Sequence, residues 1–259
     1  MLYRPIQRRS RAAEWGRRFG ALALPVLIIA VAGHRFFGLR ADHAVGITSV
    51  ATILGWIAVV LSAAGAKIIW DKGFLGASQA ARGLIYGFIA LVPAGYAAWG
   101  IYSYPRINDV STDTADPPLY KAAAFARIGA MNPTRPPAPA ELERQRILFP
   151  DIETRHFDIG SEQLYAAARR VVEKAGWRVT EDLPAREEGD RARIEAVART
   201  LVFGFEDDVV IRIYAEGNGG SKIDIRSSSR WGEHDFGANV RRIRGFLSDL
   251  DALVAESFG

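Results

Sequence analysis

The sequence contains no cysteine, an absence that removes disulfide frameworks, thiolate metal sites and a cysteine nucleophile from consideration. Such a composition suits an oxidising compartment without demanding one. Histidine is scarce too: His34, His43, His156 and His234 are dispersed, with no pair at helical spacing, so a histidine metal site is not expected. Acidic residues are nearly missing from the first part of the chain. Up to Tyr104 there are only Glu14, Asp42 and Asp71 against eleven Lys and Arg, a charge of +8, whereas the remainder carries 22 basic and 26 acidic residues, a charge of −4. The pI near 9.5 therefore does not describe a uniformly basic surface. Because the cationic excess lies beside apolar segments, nucleic acid is not an expected partner.

Two short motifs lack what their chemistry needs. "DVSTDTAD" sets oxygen donors at Asp109, Ser111 and Asp113 as a calcium loop does, but Thr114 stands where glycine is needed and Tyr120 where a bidentate glutamate is needed. Turns closed by aspartate side chains are expected there instead. The glycines of "EGNGGSK" lack the spacing and the Lys-Ser/Thr of a phosphate loop and read as a hairpin turn. No cofactor and no metal is expected.

What the chain has in quantity is long apolar sequence. Three runs follow one another, Phe19 to Phe37, Ala44 to Trp70 and Gly83 to Tyr104, each near or above the ~20 residues with which a helix crosses ~30 Å of hydrocarbon. His34 and Arg35 must snorkel at the far end of the first. "VAGHRFF" makes a poor cleavage site, so the first run reads as a span and not as a removed signal peptide. Arg4, Arg8, Arg9, Arg11, Arg17 and Arg18 precede the first span, against Arg35 and Arg40 beyond it, which sets the N-terminus in the cytoplasm. Lys67, Lys72 and Arg82 mark the second connection as cytoplasmic, and an odd number of spans delivers everything after Tyr104 to the other side, the periplasm of a bacterium. Trp70, Trp99, Tyr102 and Tyr104 lie near span ends, while Trp56 falls mid-span and is expected between helices. Frequent Gly, Ala and Ser favour close helix packing. No carboxylate lies within a span to suggest an ion path.

The proline-rich segment from Met131 to Gln145 reads as a linker or extended arm, and periodicity becomes regular after it. "RHFDI" reads as a strand, and "GSEQLYAAARRVVEKAG" as a helix capped by Ser161, with Leu164, Ala168, Val171 and Ala175 on one face and Gly176 as its stop. Strands are expected at Trp177 to Thr180, Arg193 to Ala198, Val209 to Tyr214 and Lys222 to Arg226. Their alternation puts Ile194, Ala196, Val209, Ile211, Ile213, Ile223 and Ile225 on one face, and Glu195, Arg212, Asp224 and Arg226 on the other as cross-strand ion pairs or a polar groove. The last helix, Phe236 to about Glu256, carries Phe236, Val240, Ile243, Leu247, Leu250 and Val254 on one stripe, with Arg241 and Arg242 off it.

Between the last strand and that helix lies the densest polar stretch, "RSSSRWGEHDFGANVRRIR", Arg226 to Arg244. Ser227, Ser228, Ser229, His234 and Asp235 supply the residue types of a hydrolase triad, but no glycine-flanked elbow surrounds a serine. Asp235 reads as a helix cap. The same helix start, with Arg226 and Arg230 close by, can also hold an anion, and three serines with two arginines exceed what one cap requires. The candidate ligand-binding residues are Arg212, Arg226, Ser228, Arg230, His234, Asp235 and Asn239. If the stretch were only a cap, Arg226 and Arg230 would be dispensable for folding.

"INDVSTDTADPP", "IEAVARTLVFGFEDDVVIRI" and "DIRSSSRWGEHDFGANVRRIRGFL" together resemble the DUF1499 domain, a bacterial and plastid family of unknown function. The resemblance covers roughly Pro105 to Leu253, leaves the three spans outside, and implies no catalytic residues. The expected fold is α+β: a three-helix membrane anchor followed by a mainly antiparallel sheet packed by two helices. The expected parts are residues 1–104, an arm over 105–150 and an exported domain over 151–259. The expected role is an inner-membrane protein whose periplasmic domain binds a ligand or partner, an anionic small molecule or an envelope protein, with the lipid bilayer as its other partner. An envelope hydrolase using the Arg226 to Asn239 loop is the alternative, and a purely structural envelope protein is third.

Overall fold

The structure, a computed structural model, describes residues 8–185, 191–217 and 219–258. Arg4 and the Asn218 position of the glycine-rich turn thus lie outside the described residues. The chain divides into two compact units between Gly100 and Ile101.

The first unit is built from α1 (Arg11–Phe37), α2 (Ala41–Lys72) and α3 (Ala77–Ser103), all long and apolar enough to cross a membrane. Ser10 caps α1 by accepting from the Ala13 amide at 3.4 Å, and Gly38 and Gly73, with φ of 70° and 66°, end α1 and α2 in the left-handed conformation that glycine adopts without penalty. The Ser10 amide donates to the Leu75 carbonyl, and the Leu75 amide to the Arg8 carbonyl, both at 2.9 Å. The start of α1 and the α2–α3 turn therefore share one end of the bundle, the end that also holds Arg9, Arg11 and Lys72.

The bundle is closed by small residues. Ala13, Gly16, Gly20, Ala51, Gly55, Ala58, Ser62, Gly83 and Gly87 are buried. A methyl group on Gly87 would stand 2.9 Å from the Gly55 carbonyl oxygen, and one on Gly83 would stand 2.8 Å from the Arg17 amide nitrogen. Backbones approach this closely only without side chains between them. Large apolar side chains consequently point outward, and Trp56, expected between helices, is 57% exposed: a seam this narrow has no room for an indole.

In the second unit β1 (Asp109–Ser111), β2 (Arg155–Phe157), β3 (Arg178–Leu183), β4 (Ala192–Arg199), β5 (Glu206–Ala215) and β6 (Ser221–Ser229) form one antiparallel sheet in the order β1-β6-β5-β4-β3, with β2 also paired to β6. The helices α6 (Ser161–Lys174) and α7 (Ala238–Phe258) cover one face. Every isoleucine and valine assigned to that face by alternation is in the core, against Leu164, Val171, Ile243, Leu247 and Leu250. Each such side chain contributes ~1.5–3 kcal/mol by leaving water. Trp177 stacks on Phe246 with ring centroids 5.8 Å apart.

Three local expectations need correction. The cap of α6 is Gly160, whose amide donates to Gln163 Oε1 at 3.2 Å, and Ser161 is already helical. The helix α7 begins at Ala238, because Phe236 and Gly237 turn the chain with φ of 53° and 78°. "DVSTDTAD" is half strand: β1 pairs with β6, and only its second half is the aspartate turn, Asp113 Oδ1 accepting from Ala115 and Asp116 at 3.0 and 2.9 Å.

The largest difference concerns residues 105–150. This segment does not hang free as a linker but packs on the sheet's second face. It contributes β1, α4 (Ala122–Ala126) and α5 (Pro139–Leu148), and Tyr120 and Ala123 are buried with Val210. Gln145, buried in α5, takes the place of a strand neighbour for β1: its amide donates to the Ser111 carbonyl at 2.7 Å and accepts from the Ser111 amide at 2.9 Å. Glu195, fully buried on β4, starts α4 by accepting from the Lys121 and Ala123 amides at 2.6 and 3.1 Å. The physical reason is reciprocal need: the buried Arg226 draws its carboxylate and its carbonyl acceptors from residues 109–135, and extended proline-rich backbone has carbonyls that no ladder uses.

Candidate functional site

The charged face of the sheet is a network closed on itself. Arg226 is completely buried and donates to both oxygens of Asp109 at 2.9 and 2.7 Å. Its remaining donors reach the carbonyls of Pro118, Arg135 and Thr134 at 3.0, 2.9 and 3.3 Å, and its guanidinium lies 4.7 Å over the Tyr120 ring. Burial pushes the Asp109 carboxyl up while Arg226 pulls it back, and burial also pushes the Tyr120 hydroxyl up. Arg230 holds Asp208 through both oxygens and also meets Glu206. Arg127, from the arm, donates to Asp208 at 2.7 Å and to the Ser228 hydroxyl at 2.5 Å. Arg212 meets Asp113, Asp116 and Asp224 at 3.0, 3.0 and 3.1 Å. Burial works against the charge of Arg212, Arg226 and Arg230, but the facing carboxylates outweigh it and hold all three above the ordinary arginine value.

The helix entry is a second cluster. Asp235 Oδ1 accepts from the Gly237 amide at 2.8 Å and Oδ2 from the Asn239 amide at 2.7 Å, the capping role read from sequence. Burial raises its carboxyl against those two donors. Asn239 donates to the Asn108 carbonyl and the Ser229 hydroxyl at 3.0 and 3.1 Å. Ser227 donates to Asn239 Oδ1 at 2.8 Å and accepts from Arg242, which also reaches Asp207 at 2.5 Å. His234 Nδ1 accepts from the Phe236 amide at 2.9 Å, so the neutral ring carries its proton on Nε2, and that atom is buried without a hydrogen-bond partner among the described residues. His234 and Asp235 are turned to different backbone amides, and the three serine hydroxyls bond to Asn239, Arg127 and Arg242. The geometry does not assemble a Ser-His-Asp triad.

The seven candidate residues therefore do not converge on one cavity. Arg226, Ser228 and Arg230 sit inside the network, with internal carboxylates or Arg127 where a ligand was expected. His234, Asp235 and Asn239 shape the helix entry. Arg212 alone of the seven lines an open cleft of about 320 Å³, together with Asp116, Pro118, Leu119, Lys121, Leu183, Arg191, Ala192, Arg193 and Val210. Arg193 and Arg212 are directly opposite one another on β4 and β5, a like-charge pair that is repulsive unless anions stand beside it. Glu195 and Glu181 serve Arg193 at 3.0 and 3.1 Å. Arg191 lies over the Tyr214 ring at 4.8 Å, and Lys121, whose amide is tied to Glu195, also lines the cleft. Lys121, Arg191 and Arg193 were missed in the sequence. The readable signal was the register: pairing Arg199 with Glu206 across the β4–β5 hairpin sets Arg193 opposite Arg212. A second cleft of about 410 Å³ has mixed lining, including Arg106, Asp109, Glu141, Arg144 and Glu233, and its Asp109 is already committed to Arg226. Among the described residues no three His, Asp or Glu side chains are grouped to hold a metal ion.

No curated protein matches the sequence. Among solved structures, the crystal structure of TTHA0849 from Thermus thermophilus aligns over 41% of this chain and 97% of that one, at 16% identity and a TM-score of 0.22. So slight a likeness carries no functional inference. The family model described as "Protein of unknown function (DUF1499)" matches residues 109–250, which takes in β1, the packed arm, the sheet and most of α7. With more than half of its length inside that match, and three apolar helices ahead of it, the chain belongs to the DUF1499 family.

Proposed function

We propose that this protein is a multi-pass protein of the bacterial inner membrane, with a cytoplasmic N-terminus, whose periplasmic domain binds an anionic small molecule in the cleft between Lys121, Arg191, Arg193 and Arg212. The observation that carries the reading is the cross-strand pair Arg193 and Arg212 with two further cations at the same cleft and apolar walls from Leu119, Leu183 and Val210. Arg193 and Arg212 are engaged by Glu181, Glu195, Asp113, Asp116 and Asp224, which fixes them in the cleft wall, so the ligand's charge is met chiefly by Lys121 and Arg191 beside them. The ligand class that fits is a carboxylate or phosphate carried on an apolar body. The orientation is supported by the cationic helix ends gathered on one side of the bundle.

The test is native mass spectrometry of the full chain released from its host membranes. The wild-type chain is expected to carry a small anionic species, and Lys121→Glu with Arg191→Glu to lose it. Each charged hydrogen bond removed is worth ~1.5–3 kcal/mol, so occupancy should fall at least about tenfold, while thermal melting stays close to wild type. Equal retention by the charge-reversed chain, or no bound species on the wild type, would count against the cleft.

A further inference from the structure

The β4–β5 hairpin ends in an apolar tip. In "RTLVFGFE", Arg199 to Glu206, Leu201 is 88% and Val202 60% exposed, and the Phe203 and Phe205 rings stack with centroids 5.2 Å apart. The loop is built, not slack: the Thr200 amide donates to the Phe205 carbonyl at 2.9 Å, the Gly204 amide to the Thr200 carbonyl at 3.0 Å, and the Phe205 amide to the Thr200 hydroxyl at 2.9 Å. Its base is cationic. Arg178, Arg199 and Arg230 all meet the single carboxylate of Glu206, and the Arg178 and Arg199 side chains are more than half exposed. The hairpin at the opposite end of the sheet, Glu216 to Gly220, is instead glycine-rich and without an apolar side chain.

The register shows where this tip lies. Arg199 pairs with Glu206, Asp207 with Ser229, and Ser228 with Asp109, so the tip stands at the end of the sheet where the chain enters β1. In sequence, that entry follows the end of α3 at Ser103 by six residues. We propose that the β4–β5 tip is a lipid-contact site: Leu201 and Val202 sit among the headgroups and upper acyl chains of the bilayer that α1–α3 cross, and Arg178 and Arg199 face anionic headgroups. Apolar tips ringed by arginine suit that boundary because the aliphatic stems remain in the apolar layer while the guanidinium groups reach phosphate. The polar hairpin at the far end faces water. This site rests on the membrane reading and not on the anion cleft.

The absence of cysteine makes the test direct, since one introduced thiol is the only one in the chain. Leu201→Cys, Val202→Cys and, as the water-facing control, Gly217→Cys are labelled with an environment-sensitive fluorophore in the full chain, reconstituted in vesicles of phosphatidylethanolamine and phosphatidylglycerol. Positions 201 and 202 are expected to show blue-shifted emission and about threefold or greater quenching by nitroxides carried on the lipid, relative to position 217. Emission and quenching at both positions equal to the control would overturn the proposal. So would a blue shift that lipid nitroxides do not quench, which would mean that protein covers the tip. Failure here with the helices shown to cross the bilayer leaves the anion-cleft reading standing, and loss of the cleft ligand leaves the tip untouched.

Discussion

Arg226→Ala is expected to destabilise the DUF1499 domain by ~3–5 kcal/mol, the cost of leaving a buried charge without its partner. Asp109 would lose both of its guanidinium bonds, and the carbonyls of Pro118, Thr134 and Arg135 would lose their donor in the interior. The consequence reaches beyond one pair, because those carbonyls belong to the arm. Thermal melts of the full chain in detergent should fall sharply, and limited proteolysis should open within residues 112–138. Arg226→Lys keeps the charge but not the planar fork, and it should recover only part of the loss. Removing both charges with Asp109→Asn and Arg226→Met should cost less than the two single changes added together. A melt of Arg226→Ala within error of wild type would show that the arm is held by something else.

A similar loss is expected on the opposite face of the sheet. Ile243 is fully buried in α7 against the strands, and Ile243→Asp sets an unpaired carboxylate there at a cost of several kcal/mol, on the order of 3–5. Arg241→Asp, at an exposed position whose guanidinium reaches the Phe236 carbonyl at 3.0 Å, should be mild. Arg242 is not equivalent to it, although both fall off the apolar stripe. Its guanidinium bridges Asp207, Ser227 and Asn239, so Arg242→Asp sets a carboxylate beside Asp207 and should rank between the other two. Circular dichroism melts giving equal losses for the three would contradict the helix register.

The contrast between Arg241 and Arg242 shows where reading from sequence stops. Whatever is driven by period or length was legible: the three long apolar helices by length, the strands by alternation, the faces of α6 and α7 by apolar spacing apart from Ala175, which is exposed just past the end of α6, because one buried face imposes the repeat on its own segment. The arm was not legible, since it is held by individual charges and carbonyls with no repeat. The partner of Arg226 stands 117 residues away at Asp109. Trp56 misled for a related reason: in the bundle small residues close the seam and large ones face outward, the reverse of a water-soluble core. At the candidate site, an excess of Arg and Ser between positions 226 and 244 looked like unclaimed binding capacity. The hairpin at Glu216 already implied its answer, because the register sets Glu206, Asp207 and Asp208 beside Arg230, Ser229 and Ser228. Asp235 was read correctly as a cap because that motif is local in sequence.

The proposed topology displays the DUF1499 domain on the side of the membrane opposite the N-terminus. Single cysteines in this cysteine-free chain test it directly, one at the exposed Gly217 of the β5–β6 hairpin and one at the exposed Ser78 just after the α2–α3 turn. A membrane-impermeant maleimide is applied to intact spheroplasts and, separately, after lysis. Gly217→Cys is expected to react in both cases and Ser78→Cys only after lysis. Labelling of Ser78→Cys in intact spheroplasts with Gly217→Cys protected would contradict the orientation, and equal labelling of both before lysis would contradict the three-span crossing itself.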